Sequence, residues 1–216
     1  MKAKQTAQNL IQFYTEAEKL KSVMRHSWTS DTTRRESTAE HTWMLCLMAL
    51  TIFDSLEFEV DQLRVLKMLI IHDLAEAITG DIPAFEISDR KAQKYQTELA
   101  AMKHLLRNLE EKTKKDILSL WEEMEQKQTP EAKLAQIIDK SEAAMQHAIA
   151  GAKTWDDGDF NHHGAHAKLD HTASELLSEI RDEITKISIK SVEESNQMHR
   201  LNDAIKQEHE RITKQS

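Results

Sequence analysis

The sequence predicts an all-α fold, a single helical bundle with an extended C-terminal helical region, on three observations. Only 4 Gly and 2 Pro occur in 216 residues, so strong helix breakers are scarce. Ala, Leu, Glu, Lys, Gln and Met, the better helix formers, are plentiful. With 39% hydrophobic and 31% charged residues, the balance is that of one globular domain with a sizeable core and not of a disordered or membrane chain.

Element by element, residues 4–20 place Ala7, Leu10, Ile11, Tyr14, Ala17 and Leu20 at helical intervals, which predicts an amphipathic first helix. The polar stretch 25–35 reads as a loop. Ser37-Thr38-Ala39-Glu40 is a Ser-x-x-Glu capping box ahead of an apolar run. It predicts a helix over 38–54, apolar around nearly its whole circumference and therefore central and buried. Asp61 caps the next helix, in which Leu63, Val65, Leu66, Met68, Leu69, Ile70 and Ile71 are apolar. That helix is expected to run through His72 and Asp73 and stop near Gly80, with Pro83 just beyond.

Residues 89–112 and 114–127 read as two more polar helices, the second carrying Trp121. Thr129-Pro130-Glu131 is a strong start signal for a helix reaching Gly151 and burying Leu134, Ile137, Ile138, Met145 and Ile149. Residues 155–164 form the clearest irregular segment. From 165 to 212 the chain reads as helix, with Leu169, Leu176, Leu177, Ile180, Ile184 and Ile187 on one stripe. After a break near 188–194 a second stripe follows, Met198, Leu201 and Ile205. No repeat or second domain is evident.

Charge and cysteine usage narrow the function. With 29 basic against 37 acidic residues, the net charge of −8 argues against a binder of nucleic-acid polymers, which needs a positive footprint. A small phosphorylated substrate stays compatible, because a metal or a local Arg can supply positive charge. The lone Cys46 cannot form an intrachain disulfide, which points to a reducing compartment. The densest apolar run, 43–52, is about half a membrane span, and residues 1–20 lack a signal-peptide apolar centre, so the expectation is a cytoplasmic protein without membrane contact.

Four polar residues interrupt apolar helices: His41, His72, Asp73 and Asp139. Left unpaired in a core, such groups cost several kcal/mol unless hydrogen-bonded or bound to an ion. Two imidazoles and two carboxylates suit a borderline divalent metal such as Mn, Fe, Co, Ni or Zn. Singly, none is specific: a core His is more often a hydrogen-bonded packing residue, and side chains adjacent on a helix diverge by about 100°. The conjunction is stronger, since Glu76 falls four residues after His72 on the same helical face and Asp81 follows Gly80.

This pattern resembles the HD superfamily of metal-dependent phosphohydrolases, whose H…HD…D motif is met by His41, His72-Asp73 and Asp139. The branch of bacterial 5′-deoxynucleotidases and their eukaryotic HD-domain relatives is the closer likeness. It is carried by Arg25-x-x-Trp28, the run from Arg35 to His41, His72-Asp73-Leu74-Ala75-Glu76, Gly80-Asp81-Ile82, the segment Leu120-Trp121-Glu122-Glu123 and Asp139-x-x-Glu142. The likeness spans roughly residues 10–150. It implies an HD domain over 1–155, its catalytic core over 35–150, and a helical extension over 156–216 packed on that domain or on a partner subunit.

The resemblance also implies roles. His41, His72, Asp73 and Asp139 would hold one divalent transition metal, in preference to Mg, leaving positions for water and a phosphate oxygen. Glu76 would be general acid or base and Asp81 would orient water or the leaving group, with the division of proton transfer between them open. Arg25 would pair with the phosphate and Trp28 stack on base or sugar; in some bacterial members the Arg and Trp are adjacent, whereas here His26-Ser27 intervenes. Arg34 and Arg35 are alternative phosphate contacts, and Arg35 is equally a solvated loop residue. Glu142 either orients a ligand or makes an ordinary ion pair. The His162-His163-x-x-His166 cluster reads as surface, and with only His104 between the HD pair and Asp139, a mononuclear site is expected.

The expected activity is release of phosphate from (deoxy)nucleoside 5′-monophosphates, with a homodimer implied by the resemblance. The alternatives are hydrolysis of a cyclic nucleotide or guanosine tetraphosphate by the same core, and a non-catalytic metal-stabilised nucleotide sensor or scaffold.

Overall fold

In a computed structural model of the chain, residues 2–162 and 174–215 are described, and helix follows helix with one exception near the start. Helix α1 (Lys2–Ala17) is amphipathic as its spacing predicts. Leu10, Phe13 and Ala17 rest on the core together with Leu20 of the 3-10 turn that follows. The exception is the stretch expected to be a loop, which forms an antiparallel hairpin of β1 (Met24–Trp28) and β2 (Arg35–Ser37). Met24 pairs with Ser37 and Trp28 with Arg35, so β1 advances four residues while β2 advances two. The excess makes a bulge at 25–27, and bulges of this kind re-aim side chains beside functional sites.

The chain leaves β2 directly into α2 (Thr38–Ile52), where Ser37 and Glu40 complete the reciprocal capping box. His41, Leu45 and Ala49 are buried, but Trp43, Leu47 and Leu50 are exposed, so one face of this all-apolar helix is uncovered, contrary to the expectation of full burial. Helix α3 (Gln62–Ile71) starts where the Asp61 carboxylate accepts from Arg64 N at 2.9 Å. It ends at Ile71, and a tight turn through residues 72–75 separates it from α4 (Glu76–Thr79), where sequence reasoning had one continuous helix.

The expected 89–112 helix is also interrupted, into α5 (Asp89–Ala92) and α6 (Lys94–Leu105). Helix α7 (Glu111–Gln126) follows, then α8 (Pro130–Ala150), capped by Thr129 and closed by Gly151 at φ +90°. Helix α8 is the central element and packs against α2, α3 and α7. Ile149, expected in the core, is instead 42% exposed. The irregular 155–164 segment contains a short helix, α9 (Asp157–His162). Helices α10 (Glu175–Glu194) and α11 (Asp203–Gln215) complete the chain, α10 lying along α8 and the break falling after Glu194. Leu169 of the predicted stripe lies outside the described residues.

Among the described residues, three apolar clusters hold this arrangement. Leu45, Val65, Met68, Leu69, Leu134 and Ile138 join α2, α3 and α8. Ile71, Met102, Leu105, Leu106 and Trp121 join α3, α6 and α7. Trp155, Phe160, Ile189, Val192, Leu201 and Ile205 seat the C-terminal helices. Among the described residues no helix is long and apolar enough to cross a membrane.

Candidate metal centre

His41 enters from the first turn of α2 and is fully buried. Asp139 enters from the middle of α8, and His72 and Asp73 from the turn after α3. Three bonds shape that turn. Leu74 N and Glu76 N donate three residues back, to Ile71 O and Asp73 O at 3.0 Å each, and the His72 carbonyl accepts from Trp121 Nε1 at 3.1 Å. The break turns two polar side chains inward that a continuous helix would point apart.

The four side chains converge. His41 Nε2 is 3.2 Å from Asp139 Oδ1, His72 Nε2 is 3.0 Å from Asp73 Oδ2, and His72 Nε2 is 3.9 Å from Asp139 Oδ1. One ligand atom each of His41, His72 and Asp73 lies within 4.8 Å of the other two. The hydrogen bonding assigns the imidazole tautomers. His72 Nδ1 faces the Leu69 carbonyl at 2.8 Å, and a carbonyl only accepts, so Nδ1 carries the proton and Nε2 the lone pair. That buried Nε2 has no hydrogen-bond partner. His41 Nδ1 likewise donates to Glu142, which turns Nε2 toward Asp139.

The electrostatics of the set favour a cation. Burial opposes charge on Asp139, but Lys140 and the two histidines outweigh it and hold the carboxyl well below the usual range. At Asp73 burial is likewise outweighed, by His72 and Arg25, and the carboxyl is held low. Burial and Arg25 disfavour a charged His41, yet Glu142 and Asp139 push it up to about 9. Two ionised carboxylates, an orphaned imidazole nitrogen and a second imidazole held in a carboxylate-rich pocket fit a divalent ion.

Glu76 is buried at the start of α4, with Thr38 Oγ1 donating to its Oε2 at 3.0 Å. Burial and the carboxylates of Asp73 and Asp81 push it up to about 9. Gly80, at φ +73°, is in a conformation that L side chains rarely adopt, and it returns the chain so that Asp81 lines the same cleft. The bulge of β1 delivers Arg25, whose guanidinium lies 3.3 Å from Asp73 Oδ2, 3.8 Å from Asp81 Oδ1 and 3.5 Å from Glu36 Oε2. Arg25, His72, Asp73, Glu76, Asp81 and Asp139 line a cleft of about 400 Å³, within the range that holds a nucleotide-sized ligand.

Two expected substrate contacts are elsewhere. Past the bulge, Trp28 and Arg35 pair with each other across the hairpin, the guanidinium 4.5 Å over the indole ring, and neither lines the cleft. Arg35 also donates to the His26 carbonyl, and Gln146 Nε2 to the Trp28 carbonyl at 2.5 Å, so the pair fastens the hairpin to α8. Arg34 is bound to Glu40 at 2.5 Å. Arg25 and Trp28, three positions apart, look like one recognition unit in sequence; the bulge separates them.

Several residues in and around the cleft had no role assigned from the sequence. Glu36, deep beside Arg25, accepts from Ser27 Oγ at 2.9 Å and is pushed up to about 7, by burial and by Glu142. Asp156 and Asp159 cap α9 reciprocally, Asp159 N on Asp156 Oδ1 at 3.1 Å and Asp156 N on Asp159 Oδ2 at 3.0 Å. His26 Nε2 lies 3.1 Å from the same Asp159 Oδ2 and docks the hairpin on α9. Phe85 meets His26 edge-on, ring centres 4.9 Å apart. His104 sits at the surface, 3.3 Å from Glu16. His163 and His166 lie outside the described residues.

Comparison with known proteins gives a consistent picture. The HD domain family model matches residues 17–181. The zebrafish (Danio rerio) 5′-deoxynucleotidase HDDC2 is 39% identical over 140 residues, 64% of this chain and 68% of the relative. Its human counterpart is 34% identical over 142 residues, 65% and 67% of the two chains. Among solved structures, a predicted metal-dependent phosphohydrolase from Magnetospirillum magnetotacticum superposes with a TM-score of 0.71 at 25% identity, covering 86% of this chain and 94% of its own.

Proposed function

Because the chain belongs to the HD domain family, we propose that it is a metal-dependent phosphohydrolase that releases phosphate from (deoxy)nucleoside 5′-monophosphates. The observation that carries this reading is the buried, partnerless Nε2 of His72 beside His41, Asp73 and Asp139, in a cleft that also holds Glu76. His41, His72, Asp73 and Asp139 are the residues that would hold the ion, and their His/Asp chemistry favours Mn, Co, Fe, Ni or Zn over Mg. When bound, a divalent ion there polarises a phosphoryl oxygen and lowers the pKa of a water.

The chain's own groups do the rest. Arg25 reaches into the cleft from the bulge and neutralises phosphate oxygens, its fork kept in place by Asp73, Asp81 and Glu36. Glu76, steadied by Thr38, moves the proton: water attacks phosphorus, the bond to the 5′ oxygen breaks, and the departing oxygen receives a proton. Asp81, lining the same cleft, orients water or the leaving group. The working unit in this reading is a homodimer in the cytoplasm.

The test is phosphate release from 5′- and 3′-ribo- and deoxyribonucleoside monophosphates, using stripped protein resupplied with single metals. Release confined to 5′-monophosphates, absent in His72→Ala/Asp73→Ala and in metal-replete Glu76→Gln, is the expected result. Silence of the wild type with metal bound would overturn the reading.

A further inference from the structure

Arg25 is one of several cations that line the cleft. That guanidinium already faces Asp73, Asp81 and Glu36, so much of its charge is offset before any substrate arrives. Lys91 of α5 and Lys94 of α6 line the cleft from another segment altogether. Lys91 Nζ reaches the Pro83 carbonyl at 3.3 Å, a neutral acceptor. Lys94 Nζ lies 3.4 Å from Glu98 Oε1, one turn further along α6, and Glu98 is buried beneath it. Burial lowers the pKa of Lys91, and repulsion from Lys94 and Lys140 lowers it further, so the three ammonium groups lie near one another.

A phosphate monoester carries close to two negative charges at neutral pH. Entering this cleft it meets the ionised carboxylates of Asp73 and Asp139, which repel it. We propose that Lys91 and Lys94 form the anchoring site for the substrate's phosphate oxyanion, with Glu98 as the residue that positions Lys94. The two lysines stand three positions apart where α5 hands over to α6, and each has ammonium protons to give. This inference rests on the phosphohydrolase reading and names the residues that make the cleft accept an anion.

The experiment is calorimetric titration of inorganic phosphate into the metal-loaded protein, with metal content measured on every sample. Lys91→Met and Lys94→Met are each expected to weaken phosphate binding about tenfold, the worth of one charge-assisted contact, and to raise KM for a 5′-monophosphate in parallel. Lys94→Arg keeps the charge and is expected to retain phosphate affinity, which separates loss of charge from loss of fold. Lys190→Met, on the outer face of α10 and 76% exposed, is the control expected to change nothing.

Unchanged phosphate affinity in both Met variants overturns the proposal, as does a Lys94→Arg protein as weak as Lys94→Met. The two readings fail separately. Lys91→Met and Lys94→Met variants that turn over nucleotide as well as wild type leave the phosphohydrolase and remove the anchor. Lysine-dependent phosphate binding in a protein that releases no phosphate keeps the anchor and removes the phosphohydrolase.

Discussion

The indole Nε1 of Trp121 donates to the carbonyl oxygen of His72 at 3.1 Å, so a residue of α7 fixes the turn that presents two of the four candidate ion-binding side chains. Trp121 is fully buried, and its ring stacks on Tyr95 with centres 5.6 Å apart.

Trp121→Phe keeps an aromatic ring in the core but removes the N–H and part of the volume. Stability is expected to fall by about 2–3 kcal/mol, from the cavity and the stranded carbonyl together. Affinity for the divalent ion should fall about tenfold, because the turn then holds His72 and Asp73 less firmly. Urea unfolding and a chelator-competition titration measure the two effects; unaltered ion affinity would show that the turn holds its shape without the indole.

Glu142 meets the site through His41, whose Nδ1 donates to it. Glu142→Gln retains the shape and loses the charge. Ion affinity is expected to drop about tenfold, as when other partners of a ligating histidine are changed. The change should be larger than for the exposed and distant Glu194→Gln. Equal affinities in the two variants would mean that His41 does not need its carboxylate.

What the sequence made legible was local. The Ser37–Glu40 capping box, the Asp61 and Thr129 caps and the stop at Gly151 all act within a few residues, and each is found where its residues stand. His41, His72, Asp73 and Asp139 stood out because polar groups in apolar helices need partners, and the fold brings these four together. The break at His72 was hidden because its partner, Trp121, lies 49 residues away. The hairpin was hidden because Met-Arg-His-Ser-Trp and Arg-Glu-Ser are short, polar strands held by each other and by the buried Arg25–Glu36 pair. Helix α2 is apolar all round, a pattern that carries no information about which face is left exposed. Lys91, Lys94 and Glu98 fall in the stretch that reads only as a more polar helix; the packing of α6 shows that Glu98 is buried.

That burial has a consequence for stability against pH. Burial pushes Glu98 up to about 7; Lys94 pulls the other way, while Asp73 and Glu125 add to the rise. A carboxyl raised above its unfolded value of 4.5 contributes stability that is fully present below pH 4.5 and is lost as pH rises through about 7. The difference corresponds to about 3 kcal/mol. Metal-stripped wild type should therefore lose about that much more stability than Glu98→Gln between pH 4.5 and 8, by urea unfolding at each pH. Parallel pH profiles for the two proteins would show that the carboxyl titrates no differently when folded.

One part of the cleft wall depends on a missing side chain. A Cβ added at Gly158 would stand 2.5 Å from Cε2 and 2.6 Å from Cδ2 of Phe85, closer than real carbon contacts allow. The Phe85 ring cannot yield as a flexible chain end would, and it is also held edge-on against His26. Gly158→Ala is therefore expected to push the ring from its seat, at a cost of about 1–2 kcal/mol in stability. Phe85 lines the cleft, whereas the His and Asp ligands belong to other elements, so the damage should be confined to one end of the substrate. KM for a 5′-monophosphate should rise several-fold, while ion content and the affinity for inorganic phosphate stay at wild-type values. An unchanged KM in a protein with the expected loss of stability would place the aromatic ring off the substrate's path. A parallel loss of phosphate affinity would show that α9 supports the whole cleft and not its nucleoside end alone.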